Sequence, residues 1–485
     1  MVTILHIEVE KFLSRIFSKD RLTYRTVKDG LCMVFSSLPF VLCFLPIFFL
    51  CYYAVSNGAK NFVLLLGSVV FYAVGTLKHP EHMALLLAAI VVDFYAAKCM
   101  ERFPKMRTPV FVVSILYHLV WLLYYKLAVI LLTPADFVLP AGISFYTFQG
   151  ISYLADVYRK KYPAEPLILN LACYIIMFPQ LIAGPIVIYP QVRQAMGNRS
   201  LASSQALRGL AVFVFGLGMK VLLANQLGGL WRDVQTIGFD SISTPLAWMA
   251  IFAFSFQLYF DFFGYSLMAI GLGTMLGFRF PVNFDHPYTS LTMTEFWRRW
   301  HITLGSWFRE YVYIPLGGSR NGPLQTIRNM LIVWLLTGLW HGAGPNFLFW
   351  GLSLFFVILL EKSLYGNFLN KYPLIGHLYM LVLIPLSWVS FAADSLPDAM
   401  LFFSRLFALP PGGFFSIFRT DYLKYFSIYG IYLFVGFLFS SRLPYQLLRK
   451  MKNKFAIGAF LSLILAASLY CMWRGLDDPF LYFRF

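Results

Sequence analysis

Two histidines carry the chemistry this chain can be expected to do. His301 ends the run Glu295-Phe296-Trp297-Arg298-Arg299-Trp300-His301, and His341 stands in Thr337-Gly338-Leu339-Trp340-His341-Gly342, at the end of an apolar stretch. Imidazole is the side chain best matched to proton movement near neutral pH. Polar groups are costly in hydrocarbon, so a histidine in a membrane segment usually serves function. The pair points to a membrane enzyme rather than a passive membrane protein. Arg298 and Arg299 stand just before His301, and Arg309, Arg320 and Arg328 lie between the two histidines. A guanidinium grips phosphate with a planar fork, so these are candidate contacts to the phosphates of a nucleotide-bearing donor. Contact with anionic lipid head groups is the alternative reading. Asp93, Asp156 and Asp261 sit in apolar surroundings, where each costs about 2.5–3.5 kcal/mol at a helix centre and needs a partner or a task. Gln149 and Asn346 are candidate donors to a developing oxyanion.

The elements that must position these residues are membrane helices. Of 485 residues, 59% are hydrophobic and 13% charged, and the mean hydropathy is +0.69. No soluble domain of this length buries that much apolar surface. We expect an all-α polytopic bundle of about 11 spans, each near the ~20 residues that cross the hydrocarbon. Apolar runs begin near Phe35, Phe62, Met83, Pro109, Leu139, Leu167, Leu207, Pro245, Met330, Ile375, Ile428 and Phe455. Pro140-Ala141-Gly142-Ile143-Ser144 and Phe178 to Pro185 place breakers inside such runs. Broken backbone at membrane depth must be buried in protein or line a cavity, so re-entrant or broken helices are expected there. The net charge of +17 gathers in loops at Lys98 to Arg107, Arg159 to Lys161, Arg298 to Arg328 and Arg442 to Lys454. This pattern reads as positive-inside topology and not as nucleic-acid binding. Cys32, Cys43, Cys51, Cys99, Cys173 and Cys471 show no paired spacing, so neither a metal site nor a disulfide framework is expected. Residues 1–32 are basic and lack a continuous apolar core. They read as an amphipathic surface helix or as an extension ahead of a native start at Met33, with residues 33–485 as the membrane domain.

From Met33 to Phe485 the chain resembles the membrane-bound O-acyltransferases, in their alginate O-acetyltransferase-like branch. The resemblance rests on Met33 to Phe40, Leu139 to Gln149, Phe178 to Ile186, Asp261-Phe262-Phe263-Gly264-Tyr265-Ser266, Gly277 to Pro281, Glu295 to His301, Trp307 to Gly318 and Thr337 to Gly342, in that order. It implies a helical bundle around a central tunnel, with a cytoplasmic acyl thioester entering on one side. It implies His341 as the catalytic histidine and His301 as a second site residue. The tail Pro479-Phe480-Leu481-Tyr482-Phe483-Arg484-Phe485 resembles the terminal motif of this branch. From it we infer a possible acyl relay at Tyr482, with an interfacial aromatic anchor as the alternative. Leu267 follows Ser266 where the family often has an acidic residue, and Ile188 stands where it often has arginine.

The resulting expectation is an O-acetyltransferase in a bacterial inner membrane. It would hold no resident cofactor or metal, and it would draw acetyl from acetyl-CoA. It would deliver that acetyl across the bilayer for O-acetylation of an exported polysaccharide, through a separate extracytoplasmic acyltransferase partner. Donor binding is assigned to Arg298, Arg299, Arg309 and Asp261. The rivals are D-alanyl transfer to teichoic acid, a non-catalytic glycan transporter, and a catalytically dead scaffold subunit. No internal repeat supports the transporter.

Overall fold

The computed structural model describes residues 33–131, 138–199, 202–342, 344–407, 420–476 and 480–481. The basic extension 1–32 and Tyr482 lie outside the described residues. The described residues are helical, with no strand among them. Nine helices among them are long and apolar enough to cross a membrane. In chain order, with four further helices that build the site, the elements are α1 (Asn57–Gly75), α2 (Pro80–Arg102), α3 (Pro104–Ala128), α4 (Ile143–Tyr158), α5 (Ser203–Ile237), α6 (Thr244–Met275), α7 (Met293–Arg299), α8 (Ile302–Phe308), α9 (Pro323–His341), α10 (Pro345–Lys371), α11 (Pro373–Ala392), α12 (Asp421–Ser440) and α13 (Lys454–Trp473). Hydropathy alone does not separate α10 from the run at Met330. The break comes at Gly342, whose backbone is extended, and Pro345 starts the next helix.

The interrupted runs behave as broken backbone in a bilayer must. Helix α4 is buried from Ile143 to Val157, and so faces protein throughout instead of lipid. The second interrupted run forms Ile168–Ile176 and Phe178–Leu181, and the two breaker segments meet. Gly142 holds φ +77°, and a Cβ there would lie 2.3 Å from the Leu181 carbonyl oxygen. Gly150, one turn and more into α4, lets that helix reach a buried pair in which His118 Nε2 lies 2.7 Å from Asp93 Oδ1.

All four basic loops collect on one face. Arg107 donates to the Val157 carbonyl at 3.0 Å, and Glu101 accepts from the Ala164 amide. Lys161 and Arg159 pair with Glu310 at 2.7 and 3.4 Å. Lys161's hydrogen bond holds the Glu310 carboxyl below its usual range. Arg442 approaches Asp285 at 3.8 Å, and the Asp285 amide bonds to the Arg299 carbonyl at 2.9 Å. This is the clustering of lysine and arginine that the positive-inside pattern describes.

Helices α5 and α6 form the central contact. Small residues allow close approach where lipid supplies no hydrophobic drive between helices. A Cβ on Gly209 or Gly216 would each lie 2.5 Å from the carbonyl oxygens of Gly271 and Gly264. Gly216→Val should therefore destabilise the protein by about 1–3 kcal/mol through overpacking. Gly58, where an added methyl would meet nothing within 4 Å, is the control: Gly58→Ala should change stability by about 0.5 kcal/mol or less. Thermal unfolding of detergent-purified variants checks both.

Candidate active site

His301 is not the continuation of a helix. The sequence places Trp297 and His301 at i and i+4, which would share a helical face, but α7 stops at Arg299 and Trp300 is extended. Thr292 Oγ1 caps α7 by accepting from the Glu295 amide at 3.1 Å, and Glu295 Oε2 accepts from the Leu291 amide at 2.8 Å. A threonine followed three residues later by glutamate is a capping-box sequence; here the glutamate takes the amide one residue before the cap, that of Leu291. His301 itself has φ +43° and caps α8, its carbonyl accepting from the Leu304 and Gly305 amides. Left-handed geometry at a residue with a Cβ is strained and persists where surroundings over-determine it. Here the surroundings are the segment Asn283–Asp285, whose backbone bonds to Ile302 and Arg299 on either side of His301.

Asn283 is the polar hub of this turn, and the sequence reading missed it. Its Oδ1 lies 3.1 Å from His301 Nδ1 and accepts from the Thr303 amide at 3.3 Å and Thr303 Oγ1 at 2.8 Å. Its Nδ2 donates to Ser266 Oγ at 3.1 Å and to the Gly184 carbonyl at 3.5 Å. Thr303 Oγ1 in turn accepts from the Ile186 amide at 2.9 Å. The broken segment after Leu181 is thus satisfied by the same residues that hold His301.

Both histidines are buried, at 2% and 8% exposure, in a shared aromatic cluster. The Trp340 ring meets both imidazoles, with centroids 6.1 Å from His301 and 4.8 Å from His341. His341 also packs edge-on against Trp350 at 5.0 Å and Phe391 at 5.1 Å. Phe262 closes on His301 at 4.6 Å. Helix α9 starts in the basic loops and carries 19 residues, so at a rise of about 1.5 Å per residue its last residue, His341, lies about 27 Å along from that face. Lys126, deep in α3, donates to the Trp340 carbonyl at the end of α9. A cation at a helix C-terminus is favourably placed against its exposed carbonyls. A lysine inside the run Leu123-Tyr124-Tyr125-Lys126-Leu127 is an intramembrane charge, and that signal could have flagged it.

Two cavities flank the cluster. One of about 170 Å³ is lined by His301, Arg309, Trp297, Trp300, Phe308 and Thr337. The other, of about 160 Å³, is lined by Phe391, Gln257, Asn346, Arg232, Asp394 and Leu481. Of the candidate arginines, Arg309 lines one of these two cavities, beside His301. Arg299 is committed to Glu295 at 2.5 Å and to Thr289 at 2.8 Å, and Arg298 is exposed on α7. The Gln149 amide is buried in α4 without a protein hydrogen-bond partner among the described residues. Asn346 donates to the Ala393 carbonyl at 3.0 Å. A group of His79, Glu81 and His82, whose ligand atoms lie within 4.8 Å of one another, could accept a metal ion. It stands at the start of α2, the end opposite the basic loops.

Asp261 lines neither cavity. It pairs with Lys220 at 2.6 Å and accepts from the Leu481 amide at 2.7 Å. The turn Met219–Ala224, which carries Lys220, widens to π geometry where α5 lies against α6. The tail enters from beyond α13, with Asn225 Nδ2 donating to the Leu476 carbonyl at 3.3 Å. Phe480 then stacks on Tyr265 at 4.6 Å and meets Phe262 at 5.9 Å, the ring that touches His301.

A model of the membrane-bound O-acyltransferase family matches residues 159–384, which include both histidines. A probable alginate O-acetylase of Pseudomonas fluorescens is 37% identical over 78% of this chain and 76% of its own length. The chain belongs to the membrane-bound O-acyltransferase family. A peptidoglycan O-acetyltransferase of Helicobacter pylori is 34% identical over 76% of this chain and 78% of its own length. A teichoic acid D-alanyltransferase of Bacillus subtilis is more distant, at 27% identity over 45% of this chain and 58% of its own length. The protein is therefore a multi-pass membrane O-acyltransferase, with its histidines inside the segment that defines the family.

In this acyltransferase the Lys220–Asp261 pair joins α5, α6 and the tail. Removing one member of a buried pair costs about 3–5 kcal/mol, because the remaining charge loses its counter-ion. Lys220→Met should accordingly lower the yield of folded protein sharply. The double variant Lys220→Met/Asp261→Asn should recover much of it, as read by size-exclusion chromatography and melting of the purified protein.

Proposed function

We propose that this acyltransferase moves acetyl from a cytoplasmic thioester, acetyl-CoA, across a bacterial inner membrane for O-acetylation of an exported polysaccharide. The observation that carries this reading is the pair of buried histidines around one indole, with a cavity on either side. The nearer cavity opens beside Arg309 and the basic face, where a phosphate-bearing donor would arrive. The names of the alginate and peptidoglycan relatives support acetyl and an exported glycan. The D-alanyltransferase matches less than half of this chain and supports D-alanyl transfer less.

His341 is proposed as the general base. The acceptor hydroxyl gives its proton to a neutral imidazole nitrogen as its oxygen attacks the thioester carbonyl. The carbon–sulfur bond then breaks, and the proton returns to the departing thiolate. The aromatic shell excludes water, which would otherwise hydrolyse the thioester. Arg309 is proposed to contact donor phosphates through its guanidinium; Arg298 lies near enough in the same basic segment to add to the field, whereas Arg299 is already paired. Tyr482 is proposed as a relay that accepts acetyl from the thioester and passes it to an extracytoplasmic acyltransferase acting on the sugar. The anchoring of Phe480 and Leu481 beside Phe262 supports a tail that reaches the site.

In cells carrying His341→Ala at wild-type protein level, exported glycans should lose their O-acetyl groups; unchanged acetylation would remove His341 as the base. In purified protein, Arg309→Ala should raise the KM for acetyl-CoA about tenfold with kcat little changed, the pattern of lost uniform binding. Release of coenzyme A, followed with a thiol reagent, measures it.

A further inference from the structure

The orientation of one buried amide decides which nitrogen of His301 can meet a reacting group. Asparagine oxygen and nitrogen look alike, so their placement must be argued from partners. At Asn283 both ends are set by backbone groups that cannot change role. The Thr303 amide can only donate, and it lies 3.3 Å from Oδ1. The Gly184 carbonyl can only accept, and it lies 3.5 Å from Nδ2. Turning the amide over would face donor to donor at Thr303 and acceptor to acceptor at Gly184. The Thr303 hydroxyl agrees: having accepted from the Ile186 amide at 2.9 Å, it gives its proton to Oδ1 at 2.8 Å. Oδ1 is therefore the atom 3.1 Å from His301 Nδ1.

An oxygen that only accepts requires a proton on Nδ1. In a neutral imidazole the other nitrogen is then bare. His301 Nε2 is buried and has no hydrogen-bond partner among the described residues, while the ring lines the cavity that holds Arg309. We propose that Asn283 is a positioning residue that holds His301 in the Nδ1–H tautomer and makes Nε2 its hydrogen-bond-accepting nitrogen. The consequence is a restriction on role. Neutral His301 cannot donate from Nε2 to a thioester carbonyl or its oxyanion; it receives an N–H or O–H from a bound molecule. The left-handed backbone at His301 belongs to the same device, because it turns the ring onto Asn283 while the backbone carbonyl of Asn283 binds the Ile302 amide at 2.9 Å. At metal-bound histidines, partners that fix the tautomer are worth about 10–100-fold in affinity or activity, and an effect of that order is expected here.

The tautomer itself is independent of the acetyl-transfer reading; only the kinetic arm of the test rests on it. The full chain, labelled with ¹⁵N-histidine and placed in lipid nanodiscs above the pH at which imidazole is neutral, would be observed by solid-state NMR. The signals missing from His301→Asn identify His301 among the eight histidines. The expected result is a protonated Nδ1 and a bare Nε2; a protonated Nε2 overturns the proposal. Asn283→Leu should lose the tautomer preference and lower kcat for acetyl-CoA turnover about 10–100-fold, with its KM within about twofold of wild type. Asn283→Asp, which keeps the accepting oxygen, and Ser266→Ala, which touches only the opposite end of the amide, should both keep the Nδ1–H form. An unchanged tautomer in Asn283→Leu overturns the proposal, and if that variant fails to fold, the wild-type and Asn283→Asp spectra decide. A wild-type protein with the expected tautomer that releases no coenzyme A would instead count against the proposed donor.

Discussion

A polar group carried into hydrocarbon must find its partner inside the protein, and the arrangement of this acyltransferase follows from that constraint. Each of the three intramembrane aspartates meets it differently. Asp93 is held by His118, at 2.7 Å. Asp156 is held by Lys161 at 3.0 Å and the Tyr311 hydroxyl at 2.9 Å, which brings the end of α4 to the basic loops. Asp261 is held by Lys220, and its second oxygen takes the Leu481 amide. The three pairs join α2 to α3, α4 to the loop after α8, and α5 to α6 and the tail. They are polar joints between elements distant in sequence, and the Lys220–Asp261 pair is the buried ion pair among them.

The same constraint explains why interrupted helices and histidines occur together. Breaking the helix around Gly142 and around Leu181 to Ile186 frees backbone groups in the protein interior. Those around Gly184 and Ile186 are taken up by Asn283 and Thr303, which also seat His301. A site is built where the backbone is irregular because only there can backbone amides and carbonyls serve as fixed partners. The aromatic residues around it complete the arrangement. Trp297 packs against Trp334 and Trp350, and Trp350 against Trp388, with centroids between 5.2 and 6.0 Å. The result is an aromatic wall around both imidazoles, with His301 also held through Nδ1 by Asn283.

The tail takes part in this wall. Phe262 contacts both His301 and Phe480, so a change in the seating of the last residues reaches the histidine through one ring. Its anchor, Asp261, came into consideration as a donor-binding residue because it opens the run that resembles the family. Its contacts are with Lys220 and the Leu481 amide of the C-terminal segment. A carboxylate beside a basic donor cavity and a carboxylate beside a lysine look the same in sequence.

What the sequence determined by itself is whatever depends on composition and local order. Membrane residence follows from apolar content, and the broken helices from proline and glycine inside apolar runs. The two histidines stand out because imidazole in such a chain is costly. The division of the stretch after Met330 was less legible, since Gly342 and Pro345 interrupt apolarity without ending it. Tertiary structure alone decided the partners. Asn283 lies 18 residues before His301, Lys126 lies 214 before Trp340 and Lys220 pairs with a carboxylate on another helix. No periodicity links such positions, because hydrogen bonds and ion pairs between helices are set by how the helices pack. The same holds for the tautomer of His301: it depends on which atom of a distant amide faces it, and that depends on the backbone at Gly184 and Thr303 being brought together in space.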